Sequence, residues 1–142
     1  MIVKAPSQLS NLPDGNRFIG KITMTDSRIV FSGKNNILYC EGNVSLNESY
    51  LHFAGDNAVI FLCGKAPYKI SAELYHDSVL YIGKNTHLNG YRPSYFKLSE
   101  QKHVFIGEDC LLSFNISFRT ADPHLVYDAV SRSRLTSLTL PA

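Results

Sequence analysis

Four segments of the chain follow one template, and that repeat constrains the fold more than any other feature. They run Ile29-Val-Phe-Ser-Gly-Lys-Asn-Asn-Ile37, Leu51-His-Phe-Ala-Gly-Asp-Asn-Ala-Val59, Leu80-Tyr-Ile-Gly-Lys-Asn-Thr-His-Leu88 and Val104-Phe-Ile-Gly-Glu-Asp-Cys-Leu-Leu112. With Phe31, Phe53, Ile82 and Ile106 taken as one anchor column, apolar residues stand two before and six after each anchor. Small or compact polar residues (Asn35, Asn57, Thr86, Cys110) stand four after, and a Gly follows one or two after (Gly33, Gly55, Gly83, Gly107). An apolar residue at every second position makes a short strand with one buried face. Gly beside Asn or Asp supplies the backbone freedom for a tight corner. Successive turns then stack equivalent side chains into columns, and Asn columns bridge one turn to the next.

The anchors are spaced by 22, 29 and 24 residues. A three-sided coil with six-residue sides needs about 18, so insertions are expected, around Lys65–Tyr68 and Tyr91–Lys102, where Pro67 and Pro93 suit loops. The predicted fold is all-β, a parallel β-helix of stacked coils with loop insertions. A β-sandwich of short strands with Gly turns is the competing architecture. Residues 1–16, with a turn at Pro13-Asp14-Gly15-Asn16, read as an irregular N-terminal arm. Residues 17–135 read as the β-helix domain and 136–142 as a short tail.

Composition removes several function classes. The 142 residues suit one domain with a real core. A net charge of +2, with scattered Lys and Arg, does not argue for nucleic acid. No apolar run is long enough for a membrane span. MIVKAPSQLS has no secretory pattern, so the expected location is the cytoplasm. Cys40, Cys63 and Cys110 lack metal-like spacing and read as reduced, mostly core residues. His52, His76, His87 and His103 form no recognisable metal constellation, so no metal is expected. Phosphate loops, CxxC pairs and GxSxG are absent. Arg119, Arg132 and Arg134 cluster late in the chain, either as solvated surface or as an anion site.

The strand pattern ends in a polar cluster. Arg119, Thr120, Asp122, Pro123 and His124 fall together, with Tyr127 and Asp128 after them. The run Ile106-Gly107-Glu108-Asp109-Cys110, a strand, Arg119-Thr120-Ala121-Asp122-Pro123-His124, then Val126-Tyr127-Asp128 resembles hexapeptide-repeat acyltransferases. These have a left-handed β-helix fold, and the resemblance is to the branch that O-acetylates sugars of bacterial capsules and lipopolysaccharides. It covers roughly residues 29–135. It implies an acetyl-CoA-dependent O-acetyltransferase acting on a sugar hydroxyl in surface polysaccharide biosynthesis, built as a homotrimer with active sites between subunits. It also implies that His124 is catalytic, with Asp122, Arg119 and Tyr127 as substrate-binding residues. The residues that would bind acetyl-CoA are not identified.

The family pattern continues after Tyr-Asp into further coils, one carrying Ile-Gly-x-His-Val-Trp. Here the chain runs Arg134-Leu135 and then Thr-Ser-Leu-Thr-Leu-Pro-Ala, and there is no Trp. The expectation is a front part of such an enzyme, so two alternatives stay open. One is a non-catalytic β-helix fragment without a complete acyl-CoA groove. The other is a structural subunit that borrows coils from a longer partner.

The chemistry suits the residues. An imidazole can take the proton of a sugar hydroxyl as its oxygen attacks a thioester carbon. A carboxylate such as Asp122 can orient the other ring nitrogen or accept from substrate hydroxyls. Backbone N–H groups can stabilise the developing oxyanion. Without the resemblance, Asp122 reads equally as a loop cap, and Arg119, Tyr127 and Asp128 as structural.

Overall fold

The computed structural model describes residues 1–64, 66–88, 91–113, 115–121 and 129–131. In chain order the strands are β1 (Ile2–Val3), β2 (Arg17–Thr25), β3 (Arg28–Phe31), β4 (Ile37–Asn47), β5 (Tyr50–Phe53) and β6 (Val59–Cys63). They continue as β7 (Ile70–Leu74), β8 (Val79–Ile82), β9 (His87–Leu88), β10 (Ser94–Leu98), β11 (His103–Ile106), β12 (Leu111–Leu112) and β13 (Ser117–Arg119). A first face stacks β1-β3-β5-β7-β10-β13, a second stacks β11-β8-β6-β4-β2, and a third pairs β12 with β9. Every pairing between these strands is parallel except β1 with β3. Parallel neighbours that are not consecutive in the chain mean that the backbone circles once between rungs. The fold is a β-solenoid, and no pair of facing antiparallel sheets is present among the described residues.

The long strands β2 and β4 turn a corner without breaking. Their register shifts between Ile19 and Lys21, after which Lys21–Thr25 pairs with Asn43–Asn47. Gly20 (φ +116°) and Gly42 (φ +76°) sit at that bend, in a region where L side chains are strained. A Cβ on Gly20 would also meet the Cys40 carbonyl oxygen at 1.9 Å.

The anchor column predicted from sequence divides in two. Phe31 and Phe53 stack on the first face and continue through Leu74 and Leu98. Ile82 and Ile106 stack on the second face, over Leu62 and Cys40. Both kinds of segment place a strand before a Gly-containing corner and another strand after it, so one template fits two different corners. The shift in Gly offset between the two pairs is the trace of that difference. The true rungs place Leu74 21 residues after Phe53 and Leu98 24 after Leu74. The 29-residue interval is therefore no insertion.

The two expected loops change accordingly. Tyr68 is 1% exposed, bridges to Leu46, and donates its hydroxyl to the Cys63 carbonyl at 2.6 Å. Much of 91–102 is β10, whose Phe96 and Leu98 are buried rung residues. The stacked amides also lie elsewhere. Asn35 and Asn57 adopt left-handed corners (φ +56° and +59°). Asn16 and Asn36, one position further along, are the ones that point inward.

Asn36 is fully buried. Its side chain donates to Gly55 O at 2.9 Å and accepts from Ala58 N–H at 2.8 Å, while Asn16 Oδ1 accepts from Asn36 N–H at 2.9 Å. Asn36→Ala strips a donor from one backbone group and an acceptor from another where water cannot replace them. At roughly 1–3 kcal/mol per orphaned group, a loss of about 2–4 kcal/mol is expected, read as a lowered denaturant midpoint. A midpoint equal to the parent's would show that the amide ladder holds nothing.

The arm closes the first rung. β1 lies antiparallel on β3, with Ile2 opposite Val30, and the turn Pro6–Ser10 buries Leu9. Inside, Phe31 and Phe53 stack with centroids 4.9 Å apart, and Phe96 and Phe118 do the same. No helix among the described residues is long and apolar enough to cross a membrane.

Candidate functional site

Asp122, His124 and Tyr127 lie outside the described residues, as do Arg132 and Arg134. The approach to them is described up to Ala121, and it is anchored. Thr120 takes an inward rung position after Leu98, where an apolar residue stands on earlier rungs. Its hydroxyl donates to Ser99 O at 3.0 Å and accepts from Ser99 N–H at 2.8 Å. With Thr120 held inward, strand alternation turns Arg119 outward. The Arg-Thr pair therefore divides its work, one side chain pinning the chain two residues before Asp122 and the other facing solvent.

The other half of the motif is a corner. Asp109 has φ +56°, and its carboxylate accepts from Asn85 Nδ2 at 2.7 Å. Cys110 N–H donates to Thr86 Oγ1 at 3.3 Å, and Thr86 donates to Gly107 O at 2.7 Å. Ile106 to Cys110 thus has a structural duty. The three cysteines are free thiols, and burial pushes the Cys40 thiol up to about 12, out of the reactive range.

Arg119 pairs with Lys97 in register, Lys97 with Glu73, Glu73 with His52, and His52 with Val30. Beside this outward column runs another, Arg28, Tyr50, Ser71, Tyr95 and Ser117. Polar side chains thus line one face of the solenoid and lead to the strand that enters the motif. Sequence reasoning found Arg119 and missed Lys97, Glu73 and Tyr95. They lie far away in the chain, and only rung length brings them into line.

Glu73 is the hub. Tyr75 donates its hydroxyl to Glu73 Oε1 at 2.6 Å. His52 Nδ1 lies 3.5 Å from Oε2, and Lys97 Nζ 3.8 Å from Oε1. The Tyr75 hydrogen bond is the chief cause that holds the Glu73 carboxyl below its usual range; burial opposes it, and His52 and Lys97 add to it. His52 Nε2 is 2.8 Å from Ser32 Oγ, while its buried Nδ1 completes no hydrogen bond among the described residues. The 3.5 Å approach to Glu73 is an ion-pair contact, too long for a good hydrogen bond. Arg28 stacks its guanidinium 4.6 Å over the Tyr50 ring. A recess of about 390 Å³ opens on this face, bordered by Tyr50, Ser71, Glu73, Tyr95, Lys97 and Arg119.

His76 and His103 serve the ladder. His76 Nδ1 accepts from Asp56 N–H and His103 Nδ1 from Val79 N–H, both at 3.0 Å. Among the described residues no three His, Cys, Asp or Glu side chains gather as metal ligands.

No family model matches the chain. It is 25% identical over 111 residues to a polysialic acid O-acetyltransferase from Neisseria meningitidis, covering 77% of this chain and 50% of that one. The crystal structure of the polySia-specific acetyltransferase NeuO superposes with a TM-score of 0.65 at 26% identity, over 86% of this chain and 56% of that one. The chain thus spans about half the length of the relatives it matches.

Proposed function

We propose that this chain, whose homology to the polysialic acid O-acetyltransferase supports the hexapeptide-repeat acetyltransferase family, acts as an O-acetyltransferase on bacterial surface polysaccharide. One observation carries the reading. A solenoid matching an enzyme of that activity contains, at the end of β13, the run Arg119-Thr120-Ala121-Asp122-Pro123-His124. In this reading acetyl-CoA is the donor and a sugar hydroxyl the acceptor. His124 takes the hydroxyl proton while the oxygen attacks the thioester carbonyl carbon. The tetrahedral intermediate collapses, the C–S bond breaks, and CoA leaves as the thiol with the proton from His124. Asp122 orients the imidazole or the acceptor, and Arg119 and Tyr127 bind the acceptor. No covalent enzyme intermediate is needed. Dependence on acetyl-CoA places the reaction in the cytoplasm, and no metal takes part.

The test is thiol release from acetyl-CoA in the presence of a polysialic acid acceptor. Acceptor-dependent release supports the reading, and its absence across acidic and neutral glycans sinks it.

The second reading is a non-catalytic solenoid that does not bind CoA. Thermal stabilisation separates the two. A ligand that binds only the folded state at 100 times its Kd adds about 2.7 kcal/mol. A melting temperature unmoved by saturating CoA favours the non-catalytic reading.

The reading also carries a homotrimer. Ile19, Tyr39, Phe61, Tyr81 and Phe105 form one outward column of the second face. Successive aromatic rings of that column lie 4.6, 4.9 and 6.2 Å apart. Ile37, Val59 and Val79 run alongside. A continuous apolar stripe on the outside of a solenoid is the kind of surface that a second copy covers. Phe105 is 67% exposed, so Phe105→Glu leaves the core intact while placing a charge in the contact. Sedimentation is expected to show a trimer for the parent and monomer for the variant. Identical profiles would move the interface elsewhere.

A further inference from the structure

The recess on the first face has a particular build. Tyr50, Ser71 and Tyr95 occupy three successive rungs of one outward column. With rungs about 4.8 Å apart, the two tyrosines stand nearly 10 Å from one another. The small Ser71 between them leaves the gap. Arg28 covers the Tyr50 ring from the β3 side, so the ring face bordering the gap is the one toward Ser71. Along one edge runs the neighbouring column, Glu73, Lys97 and Arg119.

The polar edge states what it wants. Glu73 keeps acceptor capacity beyond its Tyr75 bond, so it calls for donors such as hydroxyls. Lys97 is only loosely paired with Glu73 at 3.8 Å, and no acid pairs with Arg119 among the described residues. Those two cations call for an anionic acceptor. Aromatic walls suit a ring with an apolar C–H face. A sugar bearing both hydroxyls and a carboxylate meets all three demands, whereas a neutral sugar leaves the cations unanswered.

We propose that the gap between Tyr50 and Tyr95, floored by Ser71 and edged by Glu73, Lys97 and Arg119, holds one carboxylate-bearing sugar of a polysaccharide. This deepens, and rests on, the acetyltransferase reading. The bound sugar lies beside the strand that enters the His124 segment, so it holds the polymer in register while another residue of the same polymer reacts. It is a positioning subsite.

Binding is measured on the full chain by tyrosine fluorescence, with a sialic acid tetramer and an uncharged glucose tetramer as probes. The acidic tetramer is expected to bind at least about tenfold more tightly, the scale of one charged hydrogen bond. Lys97→Gln lowers that affinity about tenfold, and Ser71→Phe fills the gap and abolishes it. If Ser71→Phe does not fold, Tyr95→Ala serves, since Tyr95 is 44% exposed, and it weakens binding likewise. Equal affinity for the two tetramers overturns the proposal, as does undiminished binding by the folded gap variant. Acetyl transfer is assayed in parallel on the same protein. Transfer without selective binding sinks the subsite alone, and selective binding without transfer to any acceptor sinks the enzyme reading alone.

Discussion

His124→Ala is expected to reduce acceptor-dependent CoA release by about 10²–10⁴-fold, the usual worth of a positioned general base. The argument is about protons. A sugar hydroxyl holds its proton tightly at neutral pH, and the attacking oxygen must lose it as the new C–O bond forms. Of the residues in the segment, only imidazole has an ordinary pKa near working pH, about 6.5. The base form does the work, so the parent's rate rises with pH through the imidazole pKa and then levels. The variant keeps the slow reaction and loses that rise. The melting temperature is measured alongside, so that a lost rate with an unchanged melting temperature assigns the effect to the base and not to folding. A variant with the parent's rate and pH profile would remove the base from His124.

Phe53→Ala carries the largest expected stability effect. Phe53 is fully buried, stacks on Phe31 at 4.9 Å, and sits in register between Phe31 and Leu74. Removing its ring takes away the transfer free energy and leaves a void that parallel rungs cannot close without breaking their ladder. The expected loss is about 3–5 kcal/mol. Domains are stable by only about 5–15 kcal/mol in total, so the variant is expected to melt far below the parent or to aggregate. Leu111→Ala is the control. This large apolar side chain, 82% exposed and outside the apolar stripe of the second face, is expected to shift stability by less than about 0.5 kcal/mol. Equal losses at the two positions would contradict the inside-outside assignment.

The chain's own order of residues was enough for several conclusions. Alternating apolar positions ending in Gly and Asn corners require short strands that stack, because each strand has one face to bury and no partner next to it in sequence. The Ile106 to Cys110 segment and the Arg119 to His124 run were legible as motifs because they are contiguous.

Tertiary structure decided which rungs share a face. Apolar alternation followed by a flexible corner looks the same on every side of a coil. Phe53 and Ile82 therefore matched in the template while lying on different faces. Coil length settles the question, and it varies from rung to rung. Tyr68 and Phe96 followed from the same cause, since Pro67 and Pro93 advertise loops while the neighbouring residues fill the core. The row His52, Glu73, Lys97 and Arg119 has no local signature at all, because its members meet only when four turns of chain are laid over one another in register.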